Sequence, residues 1–215
     1  MKESPFKSCK FLVILGAVFL FWLWDYSQTL LSHSTASMSV LGDDILPSNW
    51  DKRREAYGKM ILDRKNAIYS LVEIVREKKE KADTGKWFPS QGDQLWYAIR
   101  LLGDLRASEG VEPLLDVIDI QFERVSTPGG PKDGVVIQSL VTIGKPASKK
   151  SLEYLGNDKS KERAKMYVRV IAVVEGIDLG REMVRLAAER EKDPAKYARL
   201  QRALELFKEG DRPIP

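Results

Sequence analysis

Apolar residues recur along most of the chain at intervals of three and four, the spacing that lines one face of an α-helix. Ile68, Leu71, Val72 and Val75 make one run, Leu95, Ala98, Ile99 and Leu102 a second, and Val111, Leu114, Leu115 and Ile118 a third. Tyr167, Val170, Ile171 and Val174 repeat the pattern, Leu179, Met183 and Leu186 continue it, and Tyr197, Leu200, Leu204 and Phe207 complete it. Each run predicts a helix that buries a single stripe. Gly134-Val135-Val136-Ile137 alone hints at a strand, before Leu140, Val141 and Ile143 take up a helical period. The fold class expected is all-α, built of short amphipathic helices.

Helix boundaries are written in the turn residues. Asp193 followed by Pro194 reads as an N-cap with proline at the first helical position, and Gly210 follows the last periodic residue. Lys145-Pro146 and Glu112-Pro113 likewise put proline in a first turn, where its missing N–H costs nothing. Gly103 and Gly144 end the preceding helices, where a residue free to adopt positive φ can reverse the chain.

The succession helix, glycine, proline, helix thus occurs twice. Ala98-Ile99-Arg100-Leu101-Leu102-Gly103-Asp104-Leu105 leads to Val111-Glu112-Pro113-Leu114-Leu115, and Leu140-Val141-Thr142-Ile143-Gly144-Lys145-Pro146-Ala147 leads to Ser151-Leu152-Glu153-Tyr154-Leu155. The two glycines are 41 positions apart. A helix-pair period of about 40–47 residues marks HEAT and armadillo arrays, and the Leu140–Ala147 stretch resembles the HEAT repeats common in bacterial proteins. The resemblance covers roughly residues 92–156. A looser copy runs from Ala164 through Gly176 to Ala188, with 50–80 and 194–209 as terminal helices covering the array. Ala107–Gly110 and Ser126–Pro131 lengthen turns that the family keeps short. The resemblance implies a short α-solenoid of stacked antiparallel helix pairs and a role in protein–protein interaction or scaffolding, although some HEAT-like proteins are chromophore lyases and some bind DNA.

The amino-terminal segment is of a different kind. Lys2, Lys7 and Lys10 precede an uncharged apolar run from Phe11 to Trp24, which closes at Asp25. This is a membrane-targeting pattern, and its alternatives are an uncleaved signal-anchor, a cleaved signal peptide or a buried hydrophobic hairpin. Trp22, Trp24 and Tyr26 suit interfacial anchors, which places membrane contact at residues 10–26. Either targeting reading leaves the remainder outside the cytosol, membrane-anchored or, after cleavage, secreted or periplasmic. Ser, Thr, Gly and Asp dominate from Ser27 to Ser48, which reads as a tether. The expected organisation is therefore 1–26 targeting segment, 27–48 linker, 49–210 helical-repeat domain and 211–215 tail. His33 reads as a solvated linker residue, and Cys9 precedes the apolar run, whereas a lipoprotein cysteine follows it.

Composition narrows the chemistry. With 215 residues the chain suits one packed domain, and one Cys with one His excludes disulfide frameworks, Cys/His zinc sites and Cys–His nucleophiles. Carboxylates are plentiful but dispersed over charged helix faces, and Gly129-Gly130-Pro131-Lys132 lacks the phosphate-loop spacing. The reading is a protein without catalytic, metal or cofactor-binding residues; the alternative is a lyase-type enzyme, or its accessory subunit, built on HEAT-like repeats.

Two surfaces remain as candidates. Trp87, Phe88, Trp96 and Tyr97 cluster around the Gly85–Gly92 loop and read either as a core plug or as a docking site for another protein. Of Trp96 and Tyr97, adjacent on a helix, one can point inward while the other cannot. Between Lys145 and Arg169, eight basic side chains, among them Lys149, Lys150, Lys159, Lys161, Arg163 and Lys165, face three acidic ones, a local excess of +5. That segment reads as an ordinary charged face or as a binder of anionic surfaces, with nucleic acid the disfavoured partner.

Overall fold

A computed structural model describes residues 57–83, 94–120, 122 and 134–209, which belong to one compact unit, Ile45–Pro215. The stretches expected to be targeting segment, linker and tail, with Cys9, His33, Trp87, Phe88, Ser126–Pro131 and Gly210, lie outside the described residues. Helical turns at 57–62 lead into α1 (Arg64–Asp83), followed by α2 (Gln94–Asp104), a short 3₁₀ turn at Ser108–Gly110, and α3 (Val111–Asp116). Then come α4 (Val135–Ile143), α5 (Lys145–Asn157), α6 (Lys161–Glu175), α7 (Ile177–Arg190) and α8 (Pro194–Glu209). No strand occurs among the described residues. The strand hint at Gly134–Ile137 is corrected: these residues open α4, which buries Val136, Ile137, Leu140 and Ile143 at helical spacing. Adjacent β-branched residues favour strands only where a neighbouring strand can take their backbone hydrogen bonds.

The helices pack in two series. α1 lies on α2, α2 on α4 and α4 on α6, while α3 lies on α5 and α5 on α8. α4 also touches α3 and α5, and α6 packs against α5, α7 and α8. Every apolar position of the first three periodic runs is buried, including Leu71, Val75, Leu95, Ile99, Leu114 and Leu115. Leu140, Leu155, Tyr167 and Ile171 continue that core into α4, α5 and α6.

Turn chemistry differs between the two glycine-containing stretches. Gly144 links α4 to α5 at φ 86, and Gly176 links α6 to α7 at φ 88, backbone conformations that a side chain strains. Gly103 does not reverse the chain, contrary to the expectation from its position. The positive φ there falls on Arg106, at 47. Arg106 N–H donates to Gly103 O at 2.8 Å and Ala107 N–H to Leu102 O at 3.0 Å, the paired bonds of a Schellman cap. Gly103 is needed for a different reason. A Cβ at this position would lie 2.8 Å from the Cα of Ser139 on α4, so absence of a side chain lets the two backbones approach.

α7 also departs from the sequence pattern. Its inward face is Gly180, Val184 and Ala188, while Leu179 is 53% and Leu186 36% exposed. Gly180 explains the choice of face. A Cβ there would meet Ile171 of α6 at 3.0 Å and Phe207 of α8 at 3.3 Å, so the small stripe gains close contact with two helices at once.

Caps and long-range arginine contacts fix the ends. Asp193 Oδ1 accepts from the N–H groups of Ala195 at 2.7 Å and Lys196 at 3.2 Å, the N-cap expected for α8. Ser160 Oγ accepts from Arg163 N–H at 3.3 Å at the start of α6. Three guanidinium groups meanwhile reach carbonyls at the ends of other helices: Arg64 to Leu105 O at 2.9 Å, Arg163 to Leu115 O at 2.8 Å and Arg199 to Gly156 O at 2.7 Å. Carbonyls in a final turn lack intrahelical donors and carry partial negative charge, so a cation suits them. Each contact spans more than 40 residues of sequence.

Candidate interaction surface

The outer face of α2 is aromatic. Successive helical residues turn by about 100°, which sets Leu95, Ala98, Ile99 and Leu102 on the buried side and Trp96, Tyr97, Arg100 and Asp104 on the other. Trp96 and Tyr97 are both half-buried, so the expectation that one of them points inward is corrected: they flank the outer arc at its two edges. Their rings meet edge to face, with centroids 5.0 Å apart and planes at 87°. The Arg100 guanidinium sits over the Trp96 ring at 5.5 Å, and its Nε lies 3.9 Å from Asp104. A cation held against an aromatic face one turn away restricts both side chains.

The basic segment is partly neutralised by residues distant in sequence. Lys149, Lys159 and Lys161 are exposed. Lys150 contacts Glu112 of α3 at 2.6 Å and Glu153 at 2.9 Å, and these two hydrogen bonds raise its pKa. Lys165 pairs with Glu162 at 2.9 Å. Arg163 is half-buried, its Nε 3.1 Å from Asp158 Oδ2 as an ion pair lacking hydrogen-bond geometry. Burial works against the Arg163 charge, but Tyr167, Asp119 and Asp158 outweigh it and hold the guanidinium above its ordinary value. Glu112 and Asp116 of α3 and Asp119 in the turn after it thus face the segment and reduce its excess of +5 to +2.

Two tyrosines complete this network. Tyr154 O–H donates to Asp116 Oδ1 at 3.1 Å, and the buried Tyr167 donates to Asp158 Oδ2 at 2.9 Å. Their rings lie edge to face with centroids 5.9 Å apart. Burial, with Asp116 beside it, pushes the Tyr154 phenol up to about 12, and burial with the Asp158 hydrogen bond raises Tyr167 too. Both phenols stay protonated at neutral pH, so they act as hydrogen-bond donors that join α3, α5 and α6. Sequence spacing conceals this cluster, because its members are separated by 38 residues in the Tyr154–Asp116 pair and 48 in the Arg163–Leu115 contact.

Among the described residues no three His, Cys, Asp or Glu side chains converge where a metal ion could be held, and no helix is long and apolar enough to cross a membrane. The apolar run Phe11–Trp24 is not among them. Comparison of the chain with protein families, with curated proteins and with solved structures finds no match.

Proposed function

We propose that the chain is a non-catalytic interaction module: a short HEAT-like α-solenoid, membrane-tethered through residues 10–26 or exported, that binds another protein on its surface. The packing order of the helices carries this reading. α2, α4 and α6 follow one another in one series and α3 and α5 in the other, so successive helix pairs share a core, as stacked repeats must when each pair has one apolar stripe left to cover. Polar contacts run in the same direction, from Glu112, Leu115 and Asp116 on one pair to Lys150 and Tyr154 on the next, and to Arg163 beyond. Stacking of this kind leaves helix faces outward, and the Trp96–Tyr97–Arg100 face of α2 has the residue types enriched at binding hot spots.

The test is capture from solubilised membranes by the full chain, compared with Trp96→Ala and Tyr97→Ala, with melting temperatures recorded for all three. The expected result is a partner retained by the parent chain and lost by a variant whose melting temperature is unchanged. Capture that survives both substitutions removes the α2 face from the proposal. Loss accompanied by a large fall in melting temperature assigns the pair to packing.

A further inference from the structure

The helical residues 57–69 gather several exposed large apolar side chains in one short stretch. Every residue from 57 to 66 except Met60 is exposed, so these turns stand clear of the core that covers α1 from Ala67 onward. The side chains they expose include large apolar ones. Leu62 is 90%, Ile61 68%, Tyr69 58% and Tyr57 38% exposed. The helix is carried through Asp63 by two hydrogen bonds, Asp63 N–H to Lys59 O and Ala67 N–H to Asp63 O, both 3.0 Å. At 100° per residue the four apolar side chains fall within an arc of about 140°, with Lys65 among them.

Charge says what kind of occupant suits this face. These turns carry Lys59, Arg64 and Lys65 against Asp63, all exposed. A protein core would leave those cations to be desolvated, whereas a bilayer interface accepts both: apolar side chains among the acyl chains, cations at the phosphates. Lysine and arginine stems reach the headgroup level from a helix lying in the surface plane.

We infer that residues 57–69 dock onto an anionic bilayer surface, Ile61 and Leu62 entering the acyl boundary and Lys59, Arg64 and Lys65 meeting lipid phosphates. The inference rests on the membrane reading of Phe11–Trp24. Leu62 follows Trp24 by only 38 residues, so on that reading both belong to one short stretch of a membrane-held chain. Attachment of this kind makes docking an intramolecular event, for which a short amphipathic face suffices.

The experiment uses the full chain with Cys9→Ser and a single environment-sensitive fluorophore on Leu62→Cys, or on Leu179→Cys as the control, which is 53% exposed. Each is reconstituted with vesicles of phosphatidylcholine alone or with one-third phosphatidylglycerol, carrying nitroxide-labelled acyl chains. The expected result is flotation of the chain with the vesicles, a blue shift and quenching at position 62 in the anionic vesicles, a weaker effect without phosphatidylglycerol, and neither change at position 179. A chain that floats while position 62 emits as in water overturns the docking and leaves the membrane reading of Phe11–Trp24 standing. A blue shift without nitroxide quenching means that protein covers the face, which also overturns it, and equal quenching in both vesicles overturns the assignment to an anionic surface. Failure to float overturns both readings together.

Discussion

Replacing Gly103 by alanine probes a close helix crossing, that of α2 and α4. The new Cβ would lie 2.8 Å from Ser139 Cα, Cβ and Oγ, against a comfortable carbon–carbon separation of about 3.5–4.0 Å. Because a backbone Cα is one of the atoms met, rotation of Ser139 cannot relieve the clash; α2 and α4 must separate by close to 1 Å. That movement loosens contacts of Ile99, Leu102, Val136 and Leu140, all of them buried. Overpacking of this size costs about 1–3 kcal/mol, and the conformational advantage of alanine over glycine in a helix returns about 0.5–1 kcal/mol. The net expectation is a loss of roughly 1–2 kcal/mol, or a melting temperature lower by about 3–6 °C for a domain of this size. Urea denaturation followed by circular dichroism measures it. Gly58→Ala is the control, since a Cβ there meets nothing within 4 Å, and it should stabilise by up to about 1 kcal/mol. Ser139→Gly in the Gly103→Ala background should recover only part of the loss. If Gly103→Ala is as stable as the parent, the close crossing of α2 and α4 is wrong.

Other substitutions test the turns and the polar cluster. Gly144→Ala should destabilise by about 1–3 kcal/mol through backbone strain alone, and Gly144→Asn should not rescue it, because φ 86 with ψ −137 lies outside the left-handed helical region that asparagine tolerates. Arg106→Gly should raise stability by about 1 kcal/mol by relieving a positive φ of 47, and an unchanged denaturation midpoint would speak against the Schellman cap. Ser151, buried on α5 with a hydroxyl lacking a hydrogen-bond partner, should tolerate alanine with a gain of about 1 kcal/mol; a loss would show that the hydroxyl is satisfied. Tyr154 and Tyr167 hold their protons above the ordinary phenol value of 10.0, so their contribution is whole below pH 10 and declines as pH rises above it, through about 12 for Tyr154. Replacing both by phenylalanine should flatten the alkaline decline measured by denaturant titration, and an identical slope would refute the assignment.

Much of the helical core was legible because local spacing and burial agree. Ile68, Leu71, Val72 and Val75, and the equivalent runs in α2 and α3, face inward as a period near 3.6 requires. Asp193 caps α8 because an aspartate before proline has both the acceptor and the backbone bias the position needs. The same reasoning misplaced the face of α7, since leucines at 179 and 186 outweigh a glycine in any count of apolar residues. Close approach to Ile171 and Phe207 favoured the small stripe, and neither neighbour is visible from within α7. Of the candidate residues, Trp96 and Tyr97 share the outer face of α2, while Lys150, Arg163 and Lys165 are engaged in ion pairs.

Sequence by itself determined that this chain forms short amphipathic helices, where several of them begin and end, and that one His and one Cys exclude an intramolecular disulfide and Cys/His zinc sites. Tertiary structure decided which glycine bends the chain and which admits a neighbouring backbone, which face of α7 is buried, and how the carboxylates of α3 offset the cations of α5 and α6. The division has a physical cause. Hydrophobic period and capping act within one or two helical turns, whereas packing distance and electrostatic pairing depend on groups that only folding brings within a few ångströms.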